Sequence, residues 1–348
     1  MADRAPYDLR MPSPEPSSSR KTEHLRIAAS PGVEHTRGTG LESLRLRHRA
    51  LPERNLTDVD LATTLLGHRL AAPLVISAMT GGTGEAAVIN DRLLQAAADH
   101  GVALVLGSGR RLLDDPGLLR TYRPARSERP PLLLANLGAT QLRGPHGPAE
   151  AERLIELLGA DGLSIHLNPL QEAIQPEGEA TFSGVLDAIA ATVVRLAPLP
   201  VLVKEVGFGL AAEDATALAG AGVAAVDVAG AGGTNWALIE GRRDADAGAV
   251  AAAFADWGTP TVEALQAARA VAPELPVVAS GGLRDGVDVA KCMALGAAAC
   301  GLARPLLVAA QADGAGHALA TVLTQLRIAT WAAGEATPGA LVIEAVRV

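Results

Sequence analysis

Eight short aliphatic runs, each followed by an Ala- and Leu-rich stretch of helical length, constrain this 348-residue chain more than any other feature. They are PLVISAM (73–79), VALVLGS (102–108), PLLLANLG (131–138), GLSIHLN (162–168), PVLVKEVG (200–207), AAVDVAG (224–230), PVVASGG (276–282) and AAACGLA (297–303). The runs lack polar alternation, as parallel strands buried on both faces do. Helices are expected near 84–100, 116–123, 147–159, 183–196, 211–221, 260–272, 286–295 and 304–330. Eight strand-then-helix units in series predict an α/β fold, a single (β/α)8 TIM barrel, rather than an open doubly wound sheet. The competing Rossmann sheet wants GxGxxG after its first strand with an acidic residue about 20 positions on, and that signature is missing.

Around the barrel, assigned to 73–330, residues 1–19 are Pro- and Ser-rich without apolar period and read as a disordered leader. Residues 20–72 form an amino-terminal extension and 331–348 a tail. The chain is 49% hydrophobic and 20% charged, which excludes a disordered protein. With three Trp, two Tyr and three Phe, its core must be aliphatic. A net charge of −8 argues against a nucleic-acid surface, so any anionic ligand must be held locally. Cys292 and Cys300 form no CxxC pair, and neither a secretory segment nor an apolar run of about 18 residues is seen. The expectation is a reduced, cytoplasmic protein with no membrane span.

Polar residues fall at the carboxyl ends of the predicted strands, where barrel enzymes place their chemistry: MTGGT, GSGRR, NLGA, HLNPLQE, KEVGFG, GAGGTNW, SGGLRDG and GLARP. Gly and Asn alone would mean tight turns; His, Gln, Glu, Lys and Arg at the same face mean a site. Gly281, Gly282 and Arg284 after the seventh strand, with Ala303 and Arg304 after the eighth, suit a phosphate, and Thr234 adds a hydroxyl, so a phosphorylated cofactor is implied. Lys204 ends its strand where an anion or an electron-rich ring would take up its charge; a Schiff base or a snorkelling role stays open. His166 and Asn168 share a strand face, and Gln171, Glu172, Gln175, Glu177 and Glu179 follow. That cluster offers proton transfer and carboxylate oxygens for Mg²⁺, against the alternative of a solvated loop, while the isolated histidines make no zinc pattern. Arg20, Lys21 and His24 precede the barrel as either a solvated patch or an anion clamp.

Taken together, RKTEHL, SAMTGGT, ANLGA, HLNPLQEAIQPEGE, KEVGFG, DVAGAGGTNW, ASGGLRDGVDVAKCMALGA and GLARPLL resemble the type 2 isopentenyl diphosphate isomerases, collinearly from about residue 20 to 310. The resemblance implies an FMN-dependent barrel enzyme in which NAD(P)H (NADPH or NADH) reduces the flavin. The reduced flavin then serves a redox-neutral allylic proton shift between isopentenyl and dimethylallyl diphosphate, with Mg²⁺ on the diphosphate. Carried over by position, Ala78, Met79, Thr80, Ser108, Asn136, Lys204 and Thr234 would surround the flavin ring and ribityl chain, and Gly281, Gly282, Arg284, Ala303 and Arg304 its phosphate. Arg20, Lys21, His24, Arg110, His166 and Asn168 would meet the diphosphate, Gln171 the isoprenyl carbons and Glu172 the Mg²⁺. Gln171, Glu240 and Lys204 are the candidate catalytic residues, and the extension 20–72 would help close the site. Trp236 and Trp257 are candidates for walling the isoprenyl pocket. Similar proteins are homo-oligomers, tetramers or octamers. The loop Gly107-Ser108-Gly109-Arg110 departs from the family's usual GSQR, which would remove a side-chain amide near the substrate. A flavin-binding paralogue with altered or lost activity therefore stays a rival, as does an FMN-barrel oxidoreductase.

Overall fold

The computed structural model describes residues 17–123 and 129–344. Apart from its last three residues, the expected leader lies outside the described residues, and the helix Ser17–Ala29 begins inside it. An antiparallel hairpin, β1 (Thr63–Leu65) and β2 (His68–Leu70), precedes the barrel. Eight parallel strands then close on themselves in chain order: β3 (Leu74–Ile76), β4 (Ala103–Val105), β5 (Leu133–Gly138), β6 (Gly162–His166), β7 (Val201–Lys204), β8 (Ala225–Asp227), β9 (Val277–Ala279) and β10 (Ala299–Leu302). Each expected run contains one of them, and β10 pairs back to β3. The protein is a single (β/α)8 barrel.

Successive strand residues face opposite sides. Leu74, Ile76, Leu104, Leu163, Ile165, Val201 and Val203 face outward and pack under the helices. The inward set, Val75, Ala103, Val105, Leu134, Leu202, Ala225, Val278 and Ala299, forms its own cluster with Leu65 and Leu70. The hairpin therefore plugs the amino-terminal end of the barrel with two leucines that are essentially inaccessible to solvent. Two residues further along the same inward face the chain turns polar, at Ser77, Asn136, His166, Lys204, Asp227 and Ser280. The barrel interior is thus mainly aliphatic below, with Ser164 as a buried exception, and polar at the mouth.

The helices follow the expected stretches with local differences. The stretch 304–330 divides into Arg304–Gln311 and Ala315–Ala332, because Asp313 takes a left-handed φ of 60° immediately before Gly314. The stretch 116–123 forms only a 3₁₀ turn, Pro116–Leu118, and one helical turn, Leu119–Tyr122. Pro169–Ile174 and the pair Trp236–Arg243 and Ala245–Ala252 are extra helices inside loops read as irregular. The Asn235 side chain accepts from Leu238 N at 3.1 Å and caps the helix Trp236–Arg243, a start signal hidden by the glycines before it.

The extension crosses the mouth and then descends along Ala315–Ala332. Glu34 bridges to Thr234, Arg49 N donates to Ala332 O, and Trp331 Nε1 donates to Arg54 O at 2.7 Å. Among the described residues, no helix is long and apolar enough to cross a membrane. The hairpin plug makes a prediction: Leu70→Ala lowers the unfolding free energy by about 2–5 kcal/mol, seen as a lower urea midpoint with unchanged slope. An unchanged midpoint would show that the plug contributes nothing to the barrel.

Candidate active site

A cavity of about 1070 Å³ opens at the carboxyl ends of the strands. The loops bring together residues far apart in sequence: Ala78, Met79 and Thr80 after β3, Ser108 and Arg110 after β4, Asn136 on β5, and His166, Asn168, Gln171 and Glu172 on and after β6. Lys204 on β7, Thr234 and Trp236 after β8, Gly281, Gly282 and Arg284 after β9, and Ala303 and Arg304 after β10 complete the barrel's contribution. Arg20, Lys21 and His24 reach the same cavity from the helix Ser17–Ala29. Among the candidates, Glu177, Glu179, Glu240 and Trp257 are the ones that do not line it.

Glu240 is fully buried one layer behind the wall. Its Oε1 accepts from Gln171 Nε2 at 2.7 Å and lies 3.0 Å from His24 Nε2. Gln171 is held at both ends, since its Oε1 accepts from Asn168 Nδ2 at 3.2 Å. Asn168 Nδ2 also donates to Glu172 Oε1 at 2.8 Å, and Glu172 Oε2 accepts from Glu179 N at 2.7 Å. Among the described residues no three His, Cys, Asp or Glu side chains converge as a metal cage. A cation beside Glu172 would depend on oxygens brought by a ligand.

The floor is electrostatically tense. Lys204 and Asp227 are buried and opposite one another in the β7–β8 register, with His166 opposite Lys204 in the β6–β7 register. Burial pulls the Lys204 ammonium below its usual range, against the opposing pull of Asp227 and Glu205. Its Nζ donates to Glu205 O at 2.6 Å. Burial, with Lys204 and Lys21 nearby, depresses His166 to about 3, so its ring is neutral near pH 7, with Nδ1 3.0 Å from Asn136 Oδ1. Burial and the cations Arg111 and Arg20 lower Lys21 to about 7. Its Nζ donates to Ser108 O at 3.2 Å and to Tyr122 Oη at 3.0 Å.

At the other end, Gly281 and Gly282 have φ of 99° and 74°, and a Cβ on either would lie 2.0 Å from Gly230 O or 2.4 Å from Thr39 Cγ2. Only glycine permits this approach of neighbouring loops. Arg304 is not a free anion clamp there. Its guanidinium donates to Ala28 O and Ser30 O at 2.8 and 3.0 Å and pairs with Glu34 Oε1 at 2.5 Å, stapling the extension to the barrel. Arg284 is largely exposed, with Asp288 3.7 Å away.

Trp236 lines the cavity, its ring 5.4 Å edge-on from His24, but Trp257 is exposed, packs on Phe254 and lies outside the cavity wall. A Cβ at Gly109 would strike Leu154 Cδ1 at 2.5 Å, so a side chain there would start into the helix Gly147–Leu158. Sequence reading missed the segment 34–42, from which Glu34, His35, Arg37 and Glu42 reach the cavity without any motif. It also missed Glu205, whose Oε2 accepts from the backbone N–H of Val206, Gly207, Phe208 and Gly209 and so shapes the turn above Lys204. Burial raises that carboxyl to about 7.

Residues 172–346 match the FMN-dependent dehydrogenase family. The isopentenyl-diphosphate delta-isomerase of Stutzerimonas stutzeri is 48% identical over 327 residues, covering 91% of this chain and 93% of the relative. That of a Synechococcus species is 50% identical over 294 residues, 84% of each chain. Solved structures of a mandelate oxidase variant with an FMN adduct (TM-score 0.62, 24% identity, covering 93% of this chain and 92% of that one) and of a flavocytochrome b2 variant with sulfite (0.67, 18%, covering 93% and 83%) share the fold.

The depressed Lys21 predicts a pH-dependent anion affinity. Above about pH 7 the amine must take up a proton from solution when an anion binds. Relative to Lys21→Arg, which stays charged, wild-type affinity for inorganic pyrophosphate should then weaken by up to about tenfold per pH unit. Calorimetric titration checks this, and parallel pH profiles for the two proteins would refute it.

Proposed function

From the premise that the chain belongs to the isopentenyl-diphosphate delta-isomerase family, within the FMN-dependent dehydrogenases, we propose that it interconverts isopentenyl and dimethylallyl diphosphate. FMN reduced by NAD(P)H and Mg²⁺ on the diphosphate complete the reading. The observation that carries it is the buried Gln171–Glu240–His24 group beside a cavity whose same wall holds Lys21 and Arg20. An anionic head and an apolar, proton-exchanging tail would find complementary chemistry within one pocket.

The residues present fit a flavin nucleotide. The cavity is large enough for it together with a small second ligand. Ser77 Oγ is buried at its edge without a hydrogen-bond partner, and Gly281 and Gly282 provide a close backbone surface for a phosphate. Ala78, Met79, Thr80, Ser108, Asn136, Lys204 and Thr234 would hold the ring and ribityl chain, and Gly281, Gly282, Arg284 and the backbone at Ala303 and Arg304 the phosphate. Bound and reduced, FMN supplies an electron-rich surface for a developing tertiary carbocation and a carrier for its proton.

The chain's own residues do the rest. Lys204 places a positive charge on the floor, held by Glu205 O. Arg20, Lys21, His24, Arg110, His166 and Asn168 would bind the diphosphate, whose charge favours protonation of both Lys21 and His166. Glu172 would share Mg²⁺ with the phosphate oxygens. Gln171, fixed by Asn168 and Glu240, keeps one N–H for the isoprenyl end, while Trp236 walls that end and helps exclude water. A proton enters at one end of the allyl unit and an equivalent one leaves at the other, so no net redox change occurs.

Anaerobic incubation with FMN, NADPH, Mg²⁺ and isopentenyl diphosphate in D₂O should give deuterated dimethylallyl diphosphate without net flavin oxidation. A yellow, reducible protein that leaves isopentenyl diphosphate unchanged would sink the proposal. Gln171→Ala should lower kcat by about 10- to 100-fold with unchanged FMN affinity, whereas Lys204→Ala lowers both; equal FMN loss in the two variants would contradict these roles.

A further inference from the structure

Arg243 ends the helix Trp236–Arg243 with its side chain only 6% exposed, too enclosed for a lone charge. Carboxylates from three segments surround it. Nη1 donates to Glu240 Oε2 on its own helix at 2.7 Å, Nη2 to Glu177 Oε1 in the loop after β6 at 2.7 Å, and Nε to Glu23 Oε2 on the helix Ser17–Ala29 at 3.3 Å. The guanidinium does not line the cavity. Its influence runs through Glu240, whose other oxygen faces Gln171 and His24.

We propose that Arg243 is a positioning residue for the isomerisation: it fixes Glu240 as an ionised acceptor turned toward Gln171 and His24. Through Glu23 and Glu177 it ties the amino-terminal helix and the acidic loop to that same carboxylate. This deepens the isomerase reading, and its kinetic arm rests on it.

The charge arithmetic supports the role. Burial opposes ionisation of Glu240, but contacts with His24, Gln171 and Arg243 outweigh it and hold the carboxyl below its ordinary value. Those three groups face Glu240 from the helices Ser17–Ala29, Pro169–Ile174 and Trp236–Arg243, with Glu23 and Glu177 on the far side of Arg243. Without the arginine, three carboxylates remain around a gap, and among the described residues the contacts left to Glu240 are Gln171 and His24. The most buried of the three, Glu240, then takes a proton, and Gln171 exchanges a charged acceptor for a weaker, neutral one whose hydroxyl can turn toward it.

The test compares the FMN-loaded wild type with Arg243→Met, Arg243→Lys, Glu240→Gln and the Arg243→Met/Glu240→Gln double variant. Arg243→Met should lower kcat about 10- to 100-fold with a smaller change in KM. It should also move the acid limb of the kcat profile up by about one pH unit or more, and Arg243→Lys should restore part of both. The double variant should be no slower than Glu240→Gln alone, because the two residues act as one unit. Independently of turnover, infrared difference spectra between about pH 5 and 8 should show a protonated-carboxyl band in Arg243→Met that vanishes in the double variant. A wild type inactive on isopentenyl diphosphate refutes the isomerase reading, and the infrared arm still decides the role of Arg243. Multiplicative losses in the double variant, an unmoved acid limb, or no new carboxyl band would overturn the proposal.

Discussion

The structure depends on one change of character along the inward face of the barrel strands. At Val75, Leu134, Leu202, Ala225 and Val278 that face is aliphatic and sealed from below by Leu65 and Leu70. Two residues on, it becomes Ser77, Asn136, Lys204, Asp227 and Ser280. Charges buried at such a level cost several kcal/mol each unless paired. The barrel meets that cost locally: Asp227 Oδ1 accepts from Ser280 Oγ at 2.6 Å and from Ala229 N at 3.1 Å, and Lys204 lies opposite in register. Burial places the upper layer at low dielectric, and His166 gives up its charge beside Lys204 and Lys21. The same burial that stabilises the barrel sets the protonation of the site.

Three arginines join the extension to the mouth. Arg304 holds Ala28 O, Ser30 O and Glu34; Arg242 donates to Ser30 Oγ, Pro31 O and Gly32 O; Arg243 meets Glu23. Two of these lie on the Trp236–Arg243 helix after β8, and the third follows β10. Backbone carbonyls at the end of the helix Ser17–Ala29 have no intrahelical partners, so guanidinium forks satisfy them and orient the helix. Arg20, Lys21 and His24 reach the cavity because the following turn is gripped in this way. Arg304, which the resemblance put at the flavin phosphate, spends its guanidinium on the extension and so helps to place the residues that the extension carries.

This division explains what was legible in the sequence. The strands announced themselves because both of their faces are apolar near their starts, and the site residues because polar side chains at strand ends have few structural uses. The helix Trp236–Arg243 was hidden by its glycine-rich approach, although Asn235 was its cap. Glu240 was readable as a candidate only by resemblance; that it stands behind Gln171 depends on packing no spacing encodes. Arg37, Glu42 and His35 carried no local signal, since a segment draped over a barrel has neither period nor motif. Trp257 misled because its nearness in sequence to Trp236 implied a shared wall, whereas the intervening helix Ala245–Ala252 carries the chain outward.

The turn after β7 shows how the supporting and reacting groups are one construction. Glu205 points away from the cavity, yet its single oxygen Oε2 gathers four successive backbone N–H groups, from Val206 to Gly209. The turn so formed directs Glu205 O at the Lys204 ammonium and Gly207 O at His35 Nε2, 2.6 and 2.8 Å away. One buried carboxylate therefore fixes a lysine of the barrel floor and a histidine of the draped extension through two carbonyls of the same loop. Burial raises Glu205 to about 7, while donors that favour its ionised form oppose that rise, so the turn is held by a group near balance rather than by a permanent charge. The precision of the Lys204 position thus rests on backbone geometry that a side chain outside the cavity enforces.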